Sequence, residues 1–366
     1  MTDQAESLDL PEHPAPPESA ERTGDANLDF VRTQLAYRHL QFTPVPSWPG
    51  HRRALTQEAV RRGLTVRDAD KASYFFDGGR CVGGTVGLIS TLAGYSAVRT
   101  TGSKALTKDL LSRAGLPVPQ GRHFGAKRLE SAVSWWADQT QAGSAGDVVV
   151  KPVDGNAGRG VSVEVRTEEQ LRAAWQLARQ ESSRKQIIVE QQVEGVDTRV
   201  FVVGRRAVAA TVRVPAHVIG DGTRSVASLA EEYEQARTVH RYLSSRPTYL
   251  DVGLLGRRGV ALDDVPAPGE VVFLNGTANV SQGGVTVDVT DQIHPQLLDL
   301  AVRAVDAFPD LRAAGVDLLV PDLGAPEGAT VIEINTSANF SINQVPGYGP
   351  PRDVAAAMLE EMLTGR

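Results

Sequence analysis

The stretch Val148-Val-Val-Lys-Pro-Val-Asp-Gly-Asn-Ala-Gly-Arg-Gly160 decides how this chain is read: a short apolar run, a lysine, then a loop with three glycines in six positions. Val148 to Val150 are β-branched and unbroken, which predicts a buried strand. Pro152 lacks the N–H that a sheet ladder needs, so the loop is expected to begin there. Gly155, Gly158 and Gly160 let the backbone approach a ligand closely and turn successive N–H groups toward an anion. Lys151, at the end of the strand, projects its ammonium toward the same anion. The pattern is neither the P-loop nor the dinucleotide fingerprint, because no Gly-Lys-Ser/Thr follows and the glycines are spaced differently. A plain structural turn would carry the same composition, so the rest of the chain has to decide.

Of the 366 residues, 41% are hydrophobic and 22% charged, ordinary values for a globular chain long enough for two or three domains. The longest apolar runs fall far short of the roughly 20 residues that a membrane-spanning helix needs. The first residues are polar and acidic, unlike the basic-then-apolar start of a secretory signal, and a cytoplasmic location is the expectation. Cys81 is the only cysteine, which excludes an internal disulfide and a thiolate metal cluster. A formal charge of -6 gives no electrostatic basis for binding nucleic acid or an anionic membrane.

Residues 1–26 are rich in Pro, Glu, Asp, Ser and Ala, with almost no large apolar residue after Leu10, and are expected to be a disordered tail. Residues 27–103 break into short apolar segments separated by turn signals, among them Asp77-Gly-Gly79 between Tyr74-Phe-Phe76 and Cys81-Val82. They predict a small α/β unit with a helix over 53–62 that Gly63 stops. Residues 104–114 predict an amphipathic helix with Leu106, Leu110 and Leu111 as its apolar residues, ended by Gly115. Further helices are expected over 129–137, 168–182, 226–236, 295–308 and 354–363, and strands over 186–189, 198–203, 207–212 and 331–334, with Gly204-Arg-Arg206 as a hairpin turn.

In a strand over 329–335, Val331, Glu333 and Asn335 share one face while Ile332 and Ile334 take the other. A second strand, Ala314-Gly-Val-Asp-Leu-Leu-Val320, would pair with it as a hairpin and bring Asp317 close to Glu333. Facing carboxylates with no lysine on either strand repel one another. Mg2+ (or Mn2+) would remove the conflict, since such a cation takes one or two carboxylates and completes its shell with phosphate oxygens and water; a pair of solvated acids is the alternative. Gln186-Ile-Ile-Val-Glu-Gln-Gln-Val-Glu-Gly195 runs from apolar to polar and offers Glu190, with the backbone around Gln191 and Val193, to the edge of a purine. Arg199 and Arg213 fall on neighbouring strands of the Gly204 hairpin, where two guanidinium groups can clamp a carboxylate or phosphoryl group or simply face solvent. Gly276-Thr-Ala-Asn-Val-Ser-Gln-Gly-Gly284 reads as a ligand-lining loop, and His217, His240 and His294, without metal-like spacing, as structural.

Lys104, Lys151 with its glycine loop, Glu190, Asp317 and Glu333-Ile-Asn335 occur in the order and approximate spacing of the ATP-grasp ligases, and the chain resembles that family. Lys104-Ala-Leu-Thr-Lys-Asp-Leu-Leu, Arg213-Val-Pro-Ala-His-Val-Ile-Gly-Asp-Gly222, Thr277-Ala-Asn-Val-Ser-Gln-Gly-Gly284 and Gly315-Val-Asp-Leu-Leu are similar to the ATP-grasp part of cyanophycin synthetase and of bifunctional glutathione synthetases, over a stretch from about Gly63 to the C-terminus. The resemblance implies an ATP-grasp fold of the α+β / α/β class: an N-terminal α/β pre-ATP-grasp domain (27–103), a central lobe (104–195) and a C-terminal lobe (196–366), with ATP between the two lobes. It implies that Lys104 and Lys151 contact the nucleotide phosphates under a mobile flap carrying Gly155, Gly158 and Gly160, that Glu190, Gln191 and Val193 hold adenine, and that Asp197 holds the ribose. It further implies Asp317, Glu333 and Asn335 as magnesium ligands, with Arg213 and Lys151 acting at the transferring phosphate.

The activity so implied is ATP- and Mg2+-dependent joining of a carboxylate to an amine, through an acyl phosphate and with release of ADP and phosphate. Small-molecule carboxylate and amine substrates are the expected partners, with a homodimer allowed. An ATP-grasp kinase and a non-catalytic nucleotide-binding scaffold stand beside this reading. Two departures from the family pattern matter: Leu274 is followed by Asn275 where an arginine is usual, and Ser337-Ala-Asn-Phe340 stands where Pro-Gly is usual. Both fall where the carboxylate and amine are expected, so the family's substrates do not carry over. No second ligase domain follows, and cyanophycin synthesis is not expected.

Overall fold

A computed structural model describes residues 23–141, 146–154 and 158–364. Most of the expected tail, and Gly155, lie outside the described residues. Asp25 caps the helix Ala26–Phe30 by accepting from the N–H groups of Asn27 and Leu28 at 2.9 and 3.1 Å, so the fold begins ahead of the boundary expected after residue 26.

Every pairing between strands among the described residues is antiparallel. The first sheet is a meander of β1 (Thr65–Ala69), β2 (Ala72–Asp77), β3 (Arg80–Val86) and β4 (Ile89–Ser90). The expected turn at Asp77-Gly-Gly79 joins β2 to β3, with Gly78 and Gly79 at φ 52° and 91°. The second sheet has the order β5-β8-β6-β7, from β5 (Gly121–Gly125), β6 (Val148–Pro152), β7 (Ser162–Val165) and β8 (Gln186–Gln191). Helix Glu168–Glu181 covers it. A Thr167/Gln170 capping box starts that helix, and Leu171, Ala174, Trp175 and Ala178 form the buried stripe that packs on Val148, Val150, Ile187 and Val189.

The third sheet is built from β9 (Val196–Val203), β10 (Arg206–Val214), β13 (Val285–Asp288), β14 (Ala313–Val320) and β15 (Thr330–Asn335) in the order β13-β10-β9-β14-β15, beside a two-stranded pair of β11 (His217–Ile219) and β12 (Val271–Phe273). Strand alternation distributes its side chains between two cores. Val200 and Val202 join one with helix Pro295–Asp306, while Phe201 and Val203 join the other with helix Val354–Thr364. The latter face also carries Asp197 and Arg199 of β9, Arg213 of β10 and Asp317 of β14, because each lies an even number of residues from a side chain of that second core. Polar and charged side chains are thereby gathered where the sheet runs out from under helix Val354–Thr364.

Some expectations need correcting. The segment 27–103 divides between the two cores: Phe30, Val31, Leu35 and Phe42 sink into the larger one, whereas Leu55, Phe75 and Leu92 pack with helix Val354–Thr364. Helix Lys104–Arg113 buries Ala105, Thr107 and Leu111 but leaves Leu106 and Leu110 exposed. Pro152 ends β6 instead of opening the loop, opposite Ile187, at a point where β7 no longer pairs and no ladder N–H is needed. Among the described residues no helix is long and apolar enough to cross a membrane.

Candidate active site

A cleft of about 700 Å³ opens between the second and third sheets. Lys104, Lys151, Gly158, Glu190, Gln191, Val193, Asp197, Arg213, Asp317, Glu333 and Asn335 all line it. Gly160 sits behind, at φ 69°, packed against Glu181 and the Leu177 carbonyl of helix Glu168–Glu181. Thr277 and Asn279 of the expected ligand loop reach the cleft as well, and Val149, Val163, Leu318, Leu319 and Ile332 give it apolar walls.

One side of the cleft is a lysine cluster. Lys151 is the penultimate residue of β6 and its Nζ lies 2.7 Å from Glu190 Oε1 of β8. Lys108 pairs with the other carboxylate oxygen of the same Glu190. Lys104 opens its helix just after the Ser103 cap and reaches Glu333 at 3.1 Å. Lys104 and Lys108 are four residues apart and so share a helix face. Three ammonium groups therefore meet two carboxylates, an excess of positive charge that suits an anion. Burial, then the neighbouring Lys104 ammonium, push Lys151 down to about 8. Lys108 is likewise held well below the usual lysine range, by burial first and then by Lys151 and Lys104. The carboxylate of Glu190, expected at the edge of a purine, is taken up by the two lysines, while Gln191 and Val193 border the cleft directly.

The other side is an arginine–aspartate network. Asp317 accepts from Arg199 Nε at 2.6 Å and Nη2 at 2.7 Å, and Arg213 Nη2 stands 3.0 Å from its Oδ2. Arg213 also donates to Asp197 at 2.5 Å. Burial alone would raise Asp317, but the guanidinium groups of Arg199 and Arg213 outweigh it and hold the carboxyl at about 2. At Asp197 burial prevails over Arg213 and the pKa rises. The Arg213 guanidinium is desolvated, yet Asp197 and Asp317 keep it firmly cationic.

The expected hairpin is present, with Asp317 opposite Glu333 in register. A bulge immediately beyond shifts the alternation of β15, so that Ile332, not Val331, faces the cleft with Glu333 and Asn335, and Val331 is fully buried in the core. The repulsion foreseen between the two acids is offset by cations from other elements, Arg199 and Arg213 for Asp317 and Lys104 for Glu333. Two carboxylates and the Asn335 amide, which donates from Nδ2 to Asp317 at 3.1 Å, gather at one place. Among the described residues no group of three His, Cys, Asp or Glu side chains stands ready as a self-contained metal site. The donor set fits a hard cation that shares its shell with phosphate oxygens.

Lys108 was legible only as an i,i+4 partner of Lys104, and the sequence carries no sign of its pairing with Glu190. The histidines are structural, as expected: His240 and His294 cap helices, and His217 Nδ1 lies 2.9 Å from the Pro215 carbonyl. Asn275, at the first departure from the family pattern, is buried and donates to the carbonyls of Tyr249 and Gln282 at 3.0 and 2.9 Å. Ser337, Ala338 and Asn339, at the second, line the cleft.

The ATP-grasp domain family matches residues 101–338, the span that supplies both sides of this cleft. The chain belongs to the ATP-grasp family. ATP dependence comes with that membership. This ATP-grasp chain is 36% identical over 289 residues to a cyanophycin synthetase of Synechocystis sp., covering 75% of this chain and 32% of that protein. It is 31% identical over 326 residues to a glutathione biosynthesis bifunctional protein of Mannheimia succiniciproducens, covering 84% of this chain and 41% of that one. Among solved structures, a bifunctional glutathione synthetase from Pasteurella multocida superposes with a TM-score of 0.59 at 26% identity, covering 85% of this chain and 43% of the other. The ATP-grasp chain thus spans 32% to 43% of the length of these relatives.

Proposed function

We propose that this ATP-grasp chain is an ATP- and Mg2+-dependent ligase that joins a small-molecule carboxylate to an amine, an amino acid or short peptide, with release of ADP and phosphate. The observation that carries this reading is the convergence, in one cleft, of a lysine cluster with excess positive charge and a hairpin presenting Asp317, Glu333 and Asn335.

A carboxylate is a poor electrophile, because direct attack by an amine would have to expel an oxide. Attack of its oxygen on the γ-phosphorus of ATP breaks the bond to ADP and leaves an acyl phosphate. The amine then adds to the carbonyl carbon, the C–O bond to phosphate breaks and the nitrogen loses a proton. No side-chain nucleophile is required. Lys104 and Lys151 hold and neutralise the phosphates, and Arg213, fixed between Asp197 and Asp317, stabilises charge at the transferring group. Mg2+ held by Asp317, Glu333 and Asn335 would neutralise further phosphate charge. Gln191 and Val193 would border adenine and Asp197 the ribose, with Gly158 and Gly160 in the segment that covers the phosphates, keeping water from the acyl phosphate.

Incubation with ATP, Mg2+, an acid panel and hydroxylamine tests the proposal, because hydroxylamine intercepts activated carboxylates without needing the natural amine pocket. Hydroxamate with ADP is the expected outcome. AMP with pyrophosphate would contradict it, and a stable phosphorylated acid without hydroxamate would favour a kinase.

A further inference from the structure

Helix Lys104–Arg113 is docked on the second sheet. Ala105 packs with Val153 and Ile188 in a small buried cluster, and the Lys104 N–H donates to the Val153 carbonyl at 3.1 Å. One turn on from Lys104, that docking sets Lys108 against Glu190 of β8 as an ion pair. Glu190 has little freedom to follow a moving partner. Its strand is paired on both sides, facing Gly121 of β5 and Val149 of β6, and a side chain at Gly121 would collide with Glu190 Cβ and the Val189 carbonyl. Lys151 faces Ile188, two residues from Glu190, and reaches the carboxylate as a diagonal cross-strand neighbour.

The two lysines divide the carboxylate between them. Lys151 meets Oε1 and lines the cleft, whereas Lys108 meets Oε2 and is not among the residues that line it. Glu190 and Lys151 are buried, and the Lys108 side chain is only 12% exposed, so each charge has given up most of its water and depends on the others. A phosphate that draws Lys151 toward the nucleotide takes one of the two cations from Glu190. With Lys108 in place the carboxylate stays paired. Without Lys108 the same movement would strand a buried charge, and Glu190 would hold Lys151 back. The exchange also favours the charge on Lys108, which burial opposes first, then the ammonium of Lys151, then that of Lys104; departure of Lys151 removes the larger of the two repulsions.

We infer that Lys108 is a positioning residue for the nucleotide: it stays on Glu190 as the resident counter-ion, and Lys151 is thereby released to the phosphates. The inference rests on the reading that Lys151 meets phosphate, which Lys151→Met tests separately. Calorimetry with a non-hydrolysable ATP analogue and Mg2+ measures both. Lys108→Met should weaken binding by about tenfold or more, because phosphate must then pull Lys151 from a carboxylate with no other partner. In a Glu190→Gln background, where no carboxylate holds Lys151, the same substitution should change the dissociation constant by less than about twofold. Lys108→Gln, which keeps a polar group at the site, should give the same pattern. Equal losses in both backgrounds would mark a structural role or a direct phosphate contact and would overturn the inference. Unchanged binding in Lys108→Met beside weakened binding in Lys151→Met would overturn it while the phosphate reading stands. Unchanged binding in Lys151→Met would remove that lysine from the phosphates, and the inference with it.

Discussion

Asp317 and Glu333 face each other in register across β14 and β15, yet each is neutralised from a different direction, Asp317 by Arg199 of β9 and Arg213 of β10 and Glu333 by Lys104 at the head of a helix. The two acids therefore contribute unequally to the fold even where they serve the same chemistry. The Asp317 side chain is 9% exposed and anchors two guanidinium groups, whereas the Glu333 side chain is 25% exposed and meets a single lysine.

For Glu333→Gln the stability should hardly move, since a partly exposed ion pair contributes about 0–1 kcal/mol. Turnover should be lost, because the carboxylate is assigned to the cation and transferring phosphate, while ATP binding survives within a few-fold. Calorimetry with ATP and a turnover assay separate the two effects; full activity in the variant would remove Glu333 from the site.

Asp317→Ala should behave differently. Removing it strands Arg199 and Arg213 in a desolvated site, and breaking a buried pair in this way costs about 3–5 kcal/mol. Urea denaturation measures this loss. A midpoint equal to that of the wild type would mean that water already reaches both arginines.

The depressed Lys151 predicts a pH limb in nucleotide binding. With its pKa at about 8 in the free protein, Lys151 is cationic below that pH and neutral above it. Phosphate favours the cation, so binding above pH 8 must take up a proton, and affinity should fall by up to about tenfold per pH unit. Calorimetry in buffers of differing ionisation enthalpy counts that proton directly. Lys151→Met should bind more weakly and lack the limb.

Gly160→Ala tests the glycine loop. The position has φ 69°, and a Cβ there would lie 3.0 Å from Glu181 Cβ and 3.2 Å from the Leu177 carbonyl oxygen. Left-handed backbone alone costs an L-residue about 1–2 kcal/mol, and the contact with fixed backbone adds to it. The KM for ATP should rise several-fold with kcat at saturating ATP little changed; unaltered kinetics would separate this glycine from nucleotide binding.

Local pattern carried much of the fold. The valines before Lys151, the Gly204 turn and the facing of Asp317 with Glu333 all follow from short-range periodicity and turn chemistry, and the structure has each of them. Long-range pairing was hidden. Nothing near Glu190 in the chain says that Lys108 on a distant helix will claim it, and nothing near Phe30 says that it will leave the first sheet for the larger core. The bulge that turns Ile332 into the cleft defeats a strict two-residue period. Leu88 looked like any residue in a tight turn, because its place over the cleft depends on how the first sheet docks on helix Val354–Thr364.

The central claim is that a carboxylate oxygen attacks the γ-phosphate of ATP in this cleft, and oxygen-isotope transfer tests it most directly. With an acid that forms a hydroxamate, labelled with heavy oxygen in its carboxyl group and supplied with ATP, Mg2+ and an amine, one labelled oxygen should appear in the inorganic phosphate released alongside ADP. Unlabelled phosphate, or label recovered in AMP, would contradict an acyl phosphate and with it the assignment of Lys104, Lys151, Arg213 and the Asp317–Glu333–Asn335 set.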